Sequence, residues 1–244
     1  DAGFLTGRPS VRPARTTMPP RVDGRLDDAV WREATRITEF VQQAPLDGAP
    51  ATEATEVFLA YDSQTLYVGI HAHYSDPTLI RANRSDRDQI FADDTVALYI
   101  DPFLDQQRAY VFSVNGYGVQ SDAVLDASRS GIGMGSGGGG GGGGGRPPGS
   151  GGGSMGSVPR GGMGASMAAA FGGAPLGDTS WDALFDTGGT LVEDGWTAEM
   201  AIPFKSLRYP SRQGGEIHRW GFQVTRAIPS KTESDVWAPV SLDI

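Results

Sequence analysis

Residues 93–122 hold three apolar runs separated by two turn signals. The alternating residues of the first two runs are Val96, Leu98, Ile100, Tyr110, Phe112 and Val114. Alternation at period two is typical of a strand with one buried face. Asp101-Pro102 ends the first run, because proline cannot donate to a ladder, and Asn115-Gly116 after the second run is a strong hairpin signal. The spacing predicts three antiparallel strands in the middle of an all-β domain.

The rest of the ordered sequence has the same character. Further alternating runs occupy 57–61, 66–72, 181–185, 196–202, 220–224 and a stretch that begins at Val236. Asp62-Ser63-Gln64 reads as a hairpin turn, Leu26–Ala34 as a short amphipathic helix, and Pro203 as the start of one helical turn. About nine strands with almost no helix predict an antiparallel β-sandwich.

Two segments fall outside this pattern. Residues 1–20 are proline-rich and predict an extended lead-in, so that 21–244 form a single domain. Residues 131–173 are glycine-rich, with unbroken glycine at 137–145. Because glycine loses the most entropy on ordering and nothing in this block can bury a core, we expect a disordered insertion in a loop.

Composition excludes several classes of function. The net charge of −9 argues against a nucleic-acid partner, which needs a basic face. The absence of cysteine excludes disulfides and thiolate metal sites. The apolar runs are too short to cross a bilayer as helices, so we expect no transmembrane segment, and the polar start is typical of a mature or trimmed chain.

The order and spacing of several stretches carry a family resemblance. These stretches are VDGRLDDAVWREA (22–34), 55–77, 87–122, 181–209, WGFQVTRAI (220–228) and VWAP (236–239). Together they resemble the family 9 carbohydrate-binding modules, and more closely the variant that precedes an outer-membrane β-barrel in bacterial envelope proteins. The resemblance implies a β-sandwich that binds sugars without catalysis, often with structural calcium. The glycine-rich block departs from the pattern, and the barrel is absent from these residues.

The same resemblance implies a cellular context. We expect a polysaccharide or oligosaccharide partner and a role supporting carbohydrate catabolism. We expect a location that is secreted, periplasmic or associated with the outer membrane. One alternative is a structural or interaction domain of an outer-membrane-associated protein with a degenerate sugar site. Another is a haem-binding relative that uses methionine and histidine, although four of the six methionines lie in the glycine-rich block.

Sugar binding needs aromatic faces for the apolar side of a pyranose. Trp196 and Trp220 are in phase with apolar neighbours, and Trp31 lies on the short helix, so core packing is the interpretation for these three. Trp181 and Trp237 lie at ends of predicted strands, where a ring can face a cleft, and are the candidate platforms.

Polar candidates lie in and beside the loop that precedes the three-stranded unit. Arg84, Arg87 and Asp88 are in this loop, and Asn115 and Tyr117 are at the tip of a hairpin. Such groups can form hydrogen bonds to vicinal hydroxyls. The alternative is a solvated ion-pair cluster for the arginines and an ordinary tight turn for Asn115.

Two metal sites are conceivable. Asp93 and Asp94 could contribute to a calcium site, although no EF-hand-like spacing is present and nearby arginines could simply neutralise them. His71 and His73 share one strand face and could chelate a transition metal, but the sequence offers no third ligand, so solvated side chains are the alternative.

A glycosidase pair could be drawn from Glu199 with Asp182 or Asp194. Acidic residues are abundant in the chain and nothing in the spacing isolates two of them, so polar strand faces are the favoured interpretation.

Overall fold

The computed structural model describes residues 9–126, 178–211 and 217–237, which form two packed β-sheets. The first sheet contains β1 (Ala14–Arg15), β2 (Thr35–Ile37), β4 (Thr55–Tyr61), β5 (Thr65–His73), β9 (Asp186–Val192) and β10 (Gly195–Pro203). The second contains β3 (Val41–Ala44), β6 (Thr95–Asp101), β7 (Arg108–Asn115), β8 (Gln120–Asp126), β11 (Gly221–Ile228) and β12 (Glu233–Val236). The predicted β-sandwich is therefore confirmed, with twelve strands in the described residues where about nine were expected.

Strand order explains which elements meet at each end of the molecule. The first sheet runs β1-β4-β5-β10-β9, with β2 also paired to β4, and the second runs β3-β12-β11-β6-β7-β8. β6, β7 and β8 form the predicted antiparallel unit. The ends of β6, β10 and β12 therefore lie with the starts of β5, β7 and β11 at one end of the sandwich, called here the first end.

The two predicted hairpin turns form for identifiable reasons. Asp62 Oδ1 accepts the backbone N–H groups of Gln64 at 2.7 Å and Thr65 at 2.8 Å, which closes the β4–β5 turn. Asn115 Oδ1 accepts the N–H groups of Tyr117 and Val119, both at 3.0 Å, which shapes the β7–β8 turn. Short polar side chains that bind nearby backbone donors favour such turns.

The main core lies between the inner faces of the two sheets. Its fully buried residues include Val57, Val68, Ile70, Leu98, Phe112, Trp196, Met200, Ile202, Val224 and Ile228. The alternation that predicted the strands thus also predicted their buried sides.

A second, smaller core covers the outer face of the first sheet. The helix α1 (Ala29–Glu33) is shorter than the expected 26–34 and packs Val30 and Trp31 against Tyr67 and Ala201. In the part of the chain that the structure describes, no helix is long and apolar enough to cross a membrane.

Glu199 holds this helix and the preceding loop on the sheet. Its side chain is fully buried, and Oε1 accepts the Trp31 Nε1–H group at 2.8 Å. Oε2 accepts the backbone N–H groups of Asp23 at 2.8 Å and Gly24 at 2.7 Å. Burial raises the pKa of Glu199, while these donors oppose that shift.

Several local expectations differ from the structure. Part of the lead-in, Ala14–Arg15, is a parallel edge strand on β4. Residues 181–185 precede β9 and make no ladder, although Ala183 and Phe185 are buried. β12 ends at Val236, where the last strand was expected to begin, and the turn after Pro203 is a 3-10 helix at Phe204–Ser206. The glycine-rich block 131–173 lies outside the described residues.

We expect Glu199→Gln to lower the free energy of unfolding at neutral pH by about 2 kcal/mol, because hydrogen bonds to a charged group are lost at a buried site. Denaturant unfolding measures this change. Glu39→Gln alters an exposed acid on the same molecule and is the matched control. Equal unfolding midpoints for the two variants would show that Glu199 does not hold the N-terminal segment.

Candidate functional site

Three of the five tryptophans, Trp181, Trp220 and Trp237, lie toward the first end of the sandwich. Tyr110 on β7, Ile100 on β6 and Phe222 on β11 are cross-strand neighbours in one row of the second sheet. The other two tryptophans, Trp31 and Trp196, are buried, as the sequence predicted. This end therefore concentrates the aromatic side chains that reach the surface.

The two predicted platforms lie on opposite sides of that row. The ring centroid of Trp181 is 4.9 Å from that of Tyr110 and 5.9 Å from that of Phe112. The centroid of Trp237 is 6.0 Å from that of Phe222. Both indoles are partly buried against the main core. Each therefore presents only part of its ring to water.

A more exposed aromatic group lies at the same end of the sandwich. Tyr209 and His218 are exposed and Trp220 is half-buried, and these three residues are called here the aromatic surface. The Tyr209 centroid is 5.2 Å from that of His218 and 5.5 Å from that of Trp220. Phe204 packs edge-on beneath Trp220 at 5.8 Å. Phe204 therefore supports the Trp220 indole on one side.

The aromatic surface adjoins the Trp181 side of the row. The backbone N–H of Arg208 donates to the Tyr110 hydroxyl at 3.2 Å, so Tyr209 follows directly from a residue that contacts the Trp181–Tyr110 pair. Trp220 Nε1 is buried and has no hydrogen-bond acceptor among the described residues. The sequence interpretation placed Trp220 in the core. In the sequence, Trp220 follows the polar pair His218-Arg219, and this feature could have indicated that its ring lies near the surface.

Arg87 positions the backbone next to Trp181. Its guanidinium forms ion pairs with Asp122 and with Asp182, the latter at 2.7 Å, and donates to the Ala183 carbonyl at 2.8 Å. Asp88 Oδ1 accepts the Asp122 N–H at 3.2 Å. The structure therefore brings Arg87 and Asp88 to the same edge as the segment that carries Trp181.

The other polar candidates lie near the β7–β8 turn. The Arg84 guanidinium carbon is 4.4 Å from the centroid of the Tyr117 ring. Asn115 is fully buried, and its Nδ2 donates to the Asn83 carbonyl at 2.9 Å and to Asp93 Oδ2 at 2.8 Å. Asn115 thus shapes the turn and anchors the loop, in agreement with the alternative interpretation of that residue.

The two aspartates proposed for calcium also anchor the loop. Asp93 accepts hydrogen bonds from Asn83 and Asn115, and Asp94 accepts them from the Tyr74 hydroxyl and the Arg81 backbone N–H. Burial raises the pKa of Asp94 to about 6. Within residues 9–126, 178–211 and 217–237, neither belongs to a group of three potential metal ligands. Calcium at these residues remains a prediction.

A buried arginine that the sequence interpretation missed joins the two sheets at the opposite end. Arg226 on β11 is fully buried, and its Nη1 donates to the Ala54 carbonyl at 2.8 Å and to Thr55 Oγ1 at 3.0 Å. Its Nη2 donates to the His73 carbonyl at 2.8 Å. Burial lowers the pKa of Arg226 to about 10, against the pull of Asp94 and other nearby acids. Arg226 lies two residues after the inward-facing Val224 on the same strand, and this spacing predicts that its side chain also faces inward.

Acidic residues surround this arginine. Glu233 accepts hydrogen bonds from Thr52, and Glu53 pairs with Lys231. Asp235 is fully buried, and neither of its carboxyl oxygens has a donor among the described residues. Burial, followed by the neighbouring Glu233, raises the pKa of Asp235 to about 8. Asp235 is therefore largely protonated at neutral pH.

Comparisons with known proteins give a fold. A scan against protein-family models finds no match, and neither does a comparison with curated proteins. A candidate carbohydrate-binding protein from Bacteroides uniformis aligns with a TM-score of 0.56 and 13% identity, over 95% of this chain and 90% of that chain. A family 9 carbohydrate-binding module from Caldicellulosiruptor kristjanssonii in complex with cellotriose aligns with a TM-score of 0.49 and 15% identity, over 92% and 86%. The Bacteroides structure has the same β-sandwich fold.

We expect Asp235→Asn to flatten the fall in stability that occurs as the pH rises through the acidic and neutral range to about 8. The folded chain holds the Asp235 proton up to about pH 8, whereas an unfolded aspartate releases it near 3.8. Between these two pH values the folded state thus binds more protons than the unfolded state. The free energy of unfolding of the parent chain therefore falls by up to about 1.4 kcal/mol for each unit by which the pH rises. Asparagine cannot ionise, so the variant lacks this contribution.

Denaturant unfolding at a series of pH values between about 5 and about 8 measures the difference. Asp47→Asn, at an exposed turn residue, is the control and should follow the parent chain. If the Asp235→Asn profile ran parallel to both, Asp235 would not be protonated in the folded state.

Proposed function

We propose that this domain binds a neutral oligosaccharide or polysaccharide without cleaving it, and that the aromatic surface is its contact. The observation that carries the proposal is the cluster of Tyr209, His218 and Trp220, which meet at one end of a rigid sandwich and remain open to water. Exposed apolar groups that are contiguous mark ligand-binding or interaction sites, whereas singly scattered ones need no explanation.

The chemistry of a pyranose fits this arrangement. A sugar ring has apolar C–H faces that gain by covering an aromatic ring, and hydroxyl edges that need polar partners. The Arg87–Asp182 ion pair lies beside Trp181, and the Asp182 side chain is 75% exposed. A saccharide that extends from Trp220 toward Trp181 would reach these groups.

Charge and fold agree with such a ligand. The net charge of −9 disfavours polyanions and leaves neutral polar ligands. The Bacteroides uniformis protein that shares the fold is itself a candidate carbohydrate-binding protein.

The acids that could have formed a glycosidase pair are engaged elsewhere, which supports a non-catalytic role. Glu199 is buried beneath Trp31, Asp182 pairs with Arg87, and Asp194 contacts two histidines. A hydrolase needs two carboxyl groups that flank one scissile bond.

The family resemblance also supports a proposal about the location of the protein and its role in the cell. We propose that the domain is secreted, periplasmic or associated with the outer membrane, attached to an outer-membrane β-barrel, and that it supports carbohydrate catabolism. Fractionation of cells that produce the full-length protein would test the location.

A second candidate function uses the same end of the molecule. Phe103 and Leu104 in the β6–β7 turn and Ile217 beside the aromatic surface are exposed apolar residues. An exposed apolar group of this kind also suits docking onto another protein domain. Phe103 distinguishes the two functions, because it is one of these exposed apolar residues and does not belong to the aromatic surface.

We expect Trp220→Ala and Tyr209→Ala each to weaken binding of the preferred glycan at least about tenfold, which corresponds to about 1.4 kcal/mol. The reason is that each variant removes a ring that would cover the sugar. Isothermal titration calorimetry and affinity electrophoresis against a panel of soluble glycans, including cellotriose, measure the affinity.

Leu46→Ala, which removes an exposed apolar side chain from the opposite end, is the control and should bind as the parent does. Absence of binding to every glycan in the panel would contradict the proposal. Capture of a partner domain that Phe103→Ala abolishes would favour the docking function instead.

A further inference from the structure

We propose a binding site for a divalent transition-metal ion, with zinc as the expected occupant, at Glu56, His71 and His73. These residues lie on the outer face of the first sheet, beyond the area covered by α1. His71 and His73 share one face of β5, and Glu56 on β4 is the direct cross-strand partner of His71. The third ligand that the sequence could not show therefore comes from the neighbouring strand.

The distances suit a small ion. One potential ligand atom from each of the three residues lies within 4.8 Å of the other two. His73 Nε2 is 3.7 Å from Glu56 Oε2, and the two imidazole centroids are 3.7 Å apart. Zinc bonds of about 2.0 to 2.1 Å in a tetrahedral site place ligand atoms roughly 3.3 Å apart. Small side-chain rotations would close the group around an ion.

Asp194 supplies the outer support that such sites use. It lies in the β9–β10 turn, and its Oδ2 is 3.0 Å from His73 Nδ1. Its Oδ1 is 3.1 Å from His71 Nε2. A carboxylate that accepts the second N–H of a ligating imidazole fixes the ring and strengthens it as a donor. With His73 Nε2 facing Glu56 and Nδ1 facing Asp194, His73 has this arrangement.

Electrostatics favour a cation here. Two carboxylates converge on the same point. Arg36 pairs with Glu56, but its side chain is 55% exposed and can turn away into water.

The donor set selects the class of ion. Two imidazole nitrogens and one carboxylate oxygen suit zinc, copper or nickel, whereas calcium and magnesium prefer oxygen alone. The ligand side chains are about one-fifth to one-quarter exposed, so water can complete the coordination. The ion would tie the β9–β10 turn to the two strands that run beneath it.

This site is separate from the aromatic surface. β5 begins at Thr65 at the aromatic end and finishes at His73. At about 3.3 Å per residue the two ends of this strand are roughly 26 Å apart. Metal binding and glycan binding can therefore be tested independently, and failure of one leaves the other untouched.

The test is calorimetric titration of ZnCl₂ into the chelator-treated chain, with thermal unfolding followed in parallel. We expect one zinc ion per chain and a raised midpoint. His71→Ala and His73→Ala should abolish this binding, and Asp194→Asn should weaken it by about tenfold or more, as loss of an outer carboxylate does. Circular dichroism in the absence of metal checks that each variant is folded.

Glu56→Gln and Glu39→Gln form a matched pair, because both replace a glutamate and only Glu56 faces the histidines. The proposal predicts lost binding in the first and parental binding in the second. Zinc binding that survives in both histidine variants, or absence of binding by the parent chain in excess ZnCl₂, would overturn it.

Discussion

Burial of alternate side chains between two sheets is the constraint on which the rest of the structure depends. Phe112 and Trp196, from opposite sheets, are both fully buried in the core that this packing creates. Interiors are close-packed, so aromatic side chains that do not fit between the sheets lie at the ends of the strands instead. Trp220 and Tyr209 lie at one such end, and their exposure follows from where β10 and β11 stop and start.

The opposite end of the sandwich contains several buried charged side chains. Arg226 costs free energy to bury, and the sandwich offsets this by giving its guanidinium three acceptors on β5 and the start of β4. Burial raises the pKa values of Asp94 and Asp235, with a further contribution from Glu233 at Asp235, and the Arg226 guanidinium opposes both shifts. The polar candidates around Asn115 belong to this anchoring system, which leaves the aromatic end for the proposed ligand contact.

Local pattern was sufficient for the central strands β4 to β8, β10 and β11 and their buried faces, because period two and the Asn-Gly and Asp-Ser turn signals are local. It missed β9 and placed a strand at 181–185 where no ladder forms. It was insufficient wherever contacts span the chain. The pairing of His71 with Glu56 depends on strand register, and the approach of Trp31 to Glu199 joins residues far apart in sequence. Trp220 resembled a core residue because it continues the phase of Val224. Only the start of β11 at Gly221 shows that Trp220 lies at the edge of the core.

The most direct measurement of the central claim is a nuclear magnetic resonance titration of the five indole N–H signals with a bound glycan. The account predicts that the Trp220 signal shifts, together with those of Trp181 or Trp237, while the buried Trp31 and Trp196 signals stay in place. Shifts confined to the backbone around Arg84, Asn115 and Tyr117, with all five indoles unchanged, would contradict it.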